Sequence, residues 1–280
     1  MFASTALAAR IEAAESRLMT EIAASAARRR PRAGVFVLEV AGGSATWVGE
    51  GSPANKVAGL GFAGAPAEGL VDAVEQAFAA RRSPVQVELS CLAEPTLAAA
   101  FTHRGYQLVN FENVLGRALP ADLPPLPTGI EVRDCGAEDP TWLDAITTGF
   151  AHPDLEGVPS HESFPRELVE RTLLDMAGVR GLRHQLARRA GEVAGAASMR
   201  LSDGVAQLCG AATLPEHRRK GVQTALTLAR LRAAGEAGCE LAVVTTQPGS
   251  RSQQNAQHQG FALLYTRAIL VRDAPGESPR

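Results

Sequence analysis

The sequence predicts an α/β chain built from two successive copies of one unit, and three observations carry that reading. The chain has 280 residues, close to twice the roughly 150 residues of an ordinary domain. Apolar strand-like segments alternate with segments of helical periodicity along its whole length. The two halves also end alike: strand 85–90, a short helix, His103-Arg104-Gly105-Tyr106 and strand 107–117 are echoed by strand 241–246, a short helix, His258-Gln259-Gly260-Phe261 and strand 262–272. A helix closed by glycine and followed by an aromatic that opens a strand is ordinary, because glycine supplies the left-handed residue after the last turn. Its recurrence at corresponding places points to a duplication.

The elements follow in order. A helix is expected over 3–29, where Ile11, Leu18 and Ile22 recur at helical spacing and Arg28, Arg29 and Arg30 suit the negative end of the helix dipole. Strands at 34–40 and 44–49, a helix at 67–81, strand 85–89, a helix at 95–103 and strand 107–117 complete the first half. The Pro-dense stretch Leu119–Pro127 excludes both helix interior and sheet ladder and reads as a linker. Beyond it come strand 130–133, helix 140–150 with proline in its first turn, helix 164–177, three strands at 182–190, 193–202 and 205–213, helix 221–237, strand 241–246, helix 250–258 and strand 261–272. Asp203-Gly204 marks a tight hairpin between the second and third of those strands. The expected domains are 1–118 and 129–273, joined by linker 119–128 and followed by a flexible tail, 274–280.

Composition excludes several functions. With 45% hydrophobic and 21% charged residues the chain is neither disordered nor fibrous. A net charge of −2 and a pI near 6.3 offer no general attraction for nucleic acid or an acidic membrane. The four cysteines are scattered without a CxxC pair, which fits reduced thiols in the cytoplasm. Glu12, Glu15 and Glu21 break the acid-poor pattern of a transit peptide. His152, Glu156, His161 and Glu162 share a Pro/Gly-rich loop but lack metal-ligand spacing, so no metal is expected. Gly59, Gly61 and Gly64 spell GxGxxG without the acidic residue that a dinucleotide site requires about 20 positions on.

The informative stretch runs from Gly210 to Leu226. An apolar strand ends at Thr213, a proline turn follows, and Arg218, Arg219 and Lys220 arrive at the N-terminus of a helix. Cations there oppose the positive end of the dipole and the free N–H groups. A bound anion such as a pyrophosphate relieves that conflict. The alternative is a basic surface turn before an ordinary amphipathic helix whose Val222, Ala225 and Leu226 face the core.

Thr213-Leu214-Pro215-Glu216-His217-Arg218-Arg219-Lys220-Gly221-Val222-Gln223 resembles the acetyl-CoA signature of the GNAT superfamily of N-acetyltransferases, Arg/Gln-x-x-Gly-x-Gly/Ala at the start of a helix. Arg218 and Gly221 match, and Gln223 stands where the family has Gly or Ala. Ser252–Asn255 and Gly260-Phe261 resemble the family's fourth helix and the strand after it, so the likeness covers about residues 129–272. It implies two GNAT-like domains, each a mixed, mostly antiparallel twisted sheet flanked by helices, the first degenerate and without a cofactor motif. In the second, strands 205–213 and 241–246 splay apart to admit the pantetheine arm of acetyl-CoA. Ala212, Thr213 and Leu214 are expected to bond to pantetheine, Arg218, Arg219, Lys220, Gly221, Val222, Gln223, Thr224 and Ala225 to wrap the pyrophosphate, and Asn255 to lie near the thiol. The implied activity is acetyl transfer from acetyl-CoA to a primary amine of a small molecule or protein by direct attack in a ternary complex. The tyrosine that the family often places four residues before Gly-Phe is replaced by Ala256, which makes Tyr265 the candidate proton donor. Ala256 and Gln223 also motivate the alternative of a non-catalytic acyl-CoA-binding module.

Overall fold

A computed structural model describes residues 2–120, 122–153, 158 and 164–274. The chain forms two compact units, Asn113–Leu264 and Phe2–Glu112 together with Tyr265 onward. Both units draw on strands that the linker reading assigns elsewhere. Strand β5 (Gln107–Ala118) passes from the N-terminal unit into the C-terminal one, and the final strand β12 (Ala262–Arg272) returns to the N-terminal unit. The expected boundaries at 118 and 129 therefore differ from the units by an exchange of terminal strands.

The N-terminal unit holds α1 (Thr5–Arg29), β1 (Phe36–Val40), β2 (Gly43–Trp47), β3 (Lys56–Ala58), α2 (Leu70–Ala79), β4 (Val85–Ser90) and α3 (Thr96–His103). Its strand order is β1-β2-β3-β4-β12. Ser4 caps α1 by accepting the Leu7 N–H at 3.1 Å, and the helix lays Ala8, Ile11, Leu18 and Ile22 into the interior. The three-residue β3 went unrecognised in the sequence because it is too short to show alternation. Residues 265–272 of β12 run antiparallel to β4, from Arg267↔Ser90 to Arg272↔Val85.

The C-terminal unit contains β6 (Ile130–Cys135), α4 (Pro140–Ala151), α5 (Arg166–Met176), β7 (Leu182–Arg189), β8 (Glu192–Ser202), β9 (Val205–Gln207), β10 (Ala211–Thr213), α6 (Val222–Glu236), β11 (Leu241–Thr246) and α7 (Arg251–His258). Its strands follow the order β5-β11-β9-β8-β7-β6, and β10 pairs with β8 off that path. On β7, Leu186 packs with Trp142 of α4 while its neighbour Ala187 packs with Val222 and Leu226 of α6. Strand alternation thus places the two helices on opposite faces. Ala194, Ala196 and Ala197 of β8 are fully enclosed between them, and these small side chains let both helices approach the backbone. At Gly149 of α4 the approach is so close that a Cβ would collide with that of Ala212.

The Pro-dense segment is packed rather than free. Leu119 is buried, Leu123 and Leu126 rest on core clusters, and Pro127 lies against Gly221. Of the expected tail, Ala274 is buried, and 275–280 lie outside the described residues.

Candidate functional site

The third strand of the second half, expected as one run over 205–213, is broken, and the break opens the site. β9 pairs in parallel with β11 from Leu241↔Val205 to Val243↔Gln207, and the Leu208 N–H adds a last bond to the Val243 carbonyl at 2.8 Å. Gly210, in the left-handed region at φ 56°, then turns the chain away, and β10 pairs with β8 alone. From this point the facing edges of β10 and the end of β11 have no strand partner among the described residues.

Hydrogen-bond parity shows which groups those edges offer. The Ser198 N–H donates to Gly210 and the Leu214 N–H to Ala194, so alternate residues 210, 212 and 214 face β8. The backbone groups of Ala211 and Thr213 face the cleft, whereas those expected of Ala212 and Leu214 are turned toward β8. On the opposite wall, the bond to Val243 and the pairing Thr246↔Asn113 leave the exposed Thr245 with its backbone toward the cleft. Sequence reading missed Thr245, because only pairing parity reveals it. An open strand edge offers unpaired backbone groups, and an amide-rich ligand lying as a false strand can pair with them.

Two hydroxyls sit on the same face of the two walls. Thr213 lies on the side of β10 opposite Ala212 and hence on the α6 face. Thr246 shares the parity of Ala242 and Val244, which pack with Leu231 of α6 and Ala256 of α7. The Oγ1 atoms of Thr213 and Thr246 are both buried and have no hydrogen-bond partner among the described residues. These orphaned atoms, with the open edges, fit a polar arm threaded between α6 and α7.

Beyond Thr213, a 3-10 turn at Pro215–His217 leads to α6. The first helical bond there runs from the Ala225 N–H to the Gly221 carbonyl at 2.9 Å, so the N–H groups of Val222, Gln223 and Thr224 have no acceptor within the helix. No acidic residue occupies the first turn, and among the described residues no side chain caps it. Gly221 adopts φ 82°, and the direction of its missing Cβ is toward Pro127 at 3.2 Å. Its role is therefore to permit left-handed backbone at the helix entrance, not to clear space for a phosphate. The Gln223 amide reaches along the helix to Thr227 Oγ1 at 3.4 Å. Arg218 donates through Nε to the Thr213 carbonyl at 3.3 Å and through Nη2 to the His152 carbonyl. Lys220 donates to the Glu216 carbonyl at 2.7 Å, and Arg219 is exposed.

Asn255 is half-buried on α7. Tyr265 is elsewhere: it belongs to the N-terminal unit, where its hydroxyl donates to Glu12 Oε1 at 2.7 Å. Arg267 shares that oxygen through Nε at 2.8 Å and reaches Glu88 at 3.3 Å, while Lys56 pairs with Glu88 at 2.5 Å. Burial and the Glu12 carboxylate hold the Tyr265 hydroxyl well above its usual range. These bonds fix the tyrosine in a structural cluster. Cys209 is half-buried. His152 bonds through Nδ1 to the Thr148 carbonyl at 2.9 Å, whereas Glu156, His161 and Glu162 lie outside the described residues. No group of His, Cys, Asp or Glu suited to a metal occurs among the described residues. Buried His184, stacked edge-on to Trp142 at 4.2 Å and bonded to Ser198 Oγ at 3.0 Å, has its pKa pushed down to about 4 by desolvation. It is a neutral core residue.

Comparison with known proteins gives this cleft a family. Residues 150–261 match the acetyltransferase (GNAT) family model. This segment is a GNAT domain. Among solved structures, a GCN5-related N-acetyltransferase from Kribbella flavida is 21% identical, with a TM-score of 0.62 and coverage of 91% of this chain and 95% of that one. A tandem GNAT protein from the clavulanic acid biosynthesis pathway is 18% identical at TM-score 0.59, covering 84% and 79% of the two chains. A GCN5-related N-acetyltransferase from Sphaerobacter thermophilus is 18% identical at TM-score 0.57, covering 75% and 69%. These likenesses show the fold, including its tandem architecture. No curated protein matches. The GNAT domain includes β10, the 218–225 loop and helix start, β11 and α7, but β5 lies outside the matched residues.

Proposed function

We propose that the chain is an acetyl-CoA-dependent N-acetyltransferase with one working cofactor site, in the C-terminal unit. The observation that carries this reading is the separation of β10 from β11 directly ahead of an uncapped helix N-terminus flanked by Arg218, Arg219 and Lys220. Ala211, Thr213 and Thr245 present backbone groups to the pantetheine amides, with the hydroxyls of Thr213 and Thr246 beside them. The free N–H groups at 222–224 receive the pyrophosphate, whose charge offsets the cations and the helix dipole. Acetyl-CoA supplies an activated thioester. The protein aligns that carbonyl with an acceptor amine, which attacks in its neutral form and loses its proton as the thiol departs.

A second reading, a non-catalytic acyl-CoA-binding module, is favoured by Ala256 in the position of the family tyrosine and by the commitment of Tyr265 to Glu12. Titration of the purified chain with acetyl-CoA, followed by measurement of thiol release over a panel of primary amines, separates the two. Binding with amine-dependent release supports the enzyme. Binding without release across the panel supports the module, and absence of binding removes both.

A further inference from the structure

We infer that the segment of β5 from Asn113 to Ala118, although it lies outside the GNAT match, is a working part of the cofactor wall, with Asn113 as a positioning residue and the Thr246 hydroxyl as a ligand contact. This rests on the acetyl-CoA reading. The argument starts with α7, which has eight residues, Arg-Ser-Gln-Gln-Asn-Ala-Gln-His, and buries only Ala256. A helix so short and polar has little stability of its own, so its position depends on what it is fastened to.

It is fastened to β5. Alternate residues of that strand, Asn113, Leu115 and Arg117, lie on one face, and each meets a residue three positions further along the chain through α7. Asn113 Nδ2 donates to Gln253 Oε1 at 3.4 Å. Leu115, fully buried, shares a core cluster with Ala256 and Phe261. Arg117 Nη1 donates to the Gln259 carbonyl. Gln253, Ala256 and Gln259 form one helical face, so the strand grips the helix at both ends and in the middle. The register that brings these residues there is fixed by six pairs, from Leu241↔Ala118 to Thr246↔Asn113.

The grip reaches the cleft through two connections. Gln253 Oε1 also accepts the Gly249 N–H at 2.8 Å, which ties the turn after β11 to the same carboxamide. Thr246 is the cross-strand partner of Asn113. It is 5% exposed, and its Oγ1 is without a partner among the described residues. A buried hydroxyl left unsatisfied is costly, and Thr246 stands on the end of β11, next to the open edge at Thr245. Asn113 thus holds Gln253, Gln253 holds the turn and α7, and between them Thr246 stays aimed at the arm. The first repeat, which has no cofactor motif, contributes to acetyl-CoA binding by lending this strand.

The test uses the full chain and acetyl-CoA titration, with hydrogen exchange of the α7 amides as the readout that a purely local role for Thr246 leaves unmoved. Asn113→Asp keeps the side-chain shape and removes the donor, and Gln253→Ala removes its acceptor. Each is expected to weaken acetyl-CoA binding about fivefold and to speed exchange across 253–259, with the double variant no weaker than the worse single one. Thr246→Val is expected to lose a similar factor without faster α7 exchange, and Thr246→Ser to restore binding. If the wild type binds and Asn113→Asp binds equally with unchanged α7 exchange, the inference is overturned while the acetyl-CoA reading stands. If the wild type does not bind, the acetyl-CoA reading itself has failed and the inference falls with it.

Discussion

The cleft of the C-terminal unit and its counterpart in the N-terminal unit are built on the same strand–loop–helix plan and differ in what they leave unpaired. After β10 comes a loop whose following helix has no acid in its first turn, and the hydroxyls of Thr213 and Thr246 lack partners among the described residues. After β3 comes a glycine-rich loop that the protein itself fills. Gly61 donates to the Ala41 carbonyl at 3.0 Å and accepts the Glu94 N–H at 2.9 Å. Gly59 lies so near α1 that a Cβ would stand 2.6 Å from the Glu12 carbonyl. The helix that follows, α2, carries Asp72 in its first turn, which answers the dipole internally. Lys56, Glu88, Arg267 and Glu12 close a buried ionic cluster across β3, β4, β12 and α1. The proposed site thus differs from its counterpart in which groups the protein leaves unsatisfied. Gly59 and Gly61 of the N-terminal loop serve close packing, and the single glycine at 221 serves an open helix entrance.

The largest expected effect breaks the filled side of this comparison. Arg267→Ala leaves Glu12 buried without its cation and Glu88 with Lys56 alone, and loss of about 3–5 kcal/mol is expected, read from the denaturant midpoint of the N-terminal unit. A shift below about 1 kcal/mol would show that the cluster is dispensable.

Next, acid and base should act on the two units in opposite directions. His184 has its pKa lowered to about 4, so its contribution is present above the unfolded value near 6.5 and is lost as pH falls toward 4, up to about 3 kcal/mol. Glu112 faces Glu88, Glu15, Lys56 and Arg267, and burial with the Glu88 charge pushes its pKa up to about 7. Its contribution is present below the unfolded value and is lost as pH rises through 7. Unit-specific exchange measured between pH 4 and 8 should show the C-terminal unit loosening first in acid and the N-terminal unit first in base. The same order at both ends would contradict these assignments.

Smaller effects sharpen the glycine contrast. Gly221→Ala forces a side chain into left-handed backbone at about 1–2 kcal/mol and should also weaken acetyl-CoA binding, whereas Gly59→Ala should destabilise without changing affinity. Equal affinity for Gly221→Ala would remove the helix entrance from the site. The smallest effect is expected of Arg218→Ala. Its guanidinium is engaged with the Thr213 and His152 carbonyls, so binding should weaken only a few-fold, more at low salt than at high.

Much of this was legible in the sequence, for reasons that particular residues make plain. Helix 5–29, the Asp203-Gly204 hairpin and helix 222–236 followed from periodicity and turn chemistry, which are local. The Arg218–Gly221 signature located the helix entrance because it is contiguous. What the sequence did not disclose is non-local. The break at Gly210 and the exposure of Thr245 depend on which strand pairs with which. Tyr265 shows alternation on β12 but no sign that its hydroxyl belongs with Glu12, some 250 residues away. The exchange of β5 and β12 was hidden by the duplication itself, since each half carries a terminal strand of similar pattern and local sequence does not say which unit receives it.

The central claim, one open cofactor cleft and one filled counterpart in the same chain, is tested most directly by calorimetric titration of the full-length protein with acetyl-CoA. The account predicts saturable binding at one site per chain, lost in Gly221→Trp and kept in Gly59→Ala. Two sites per chain, or none, would contradict it.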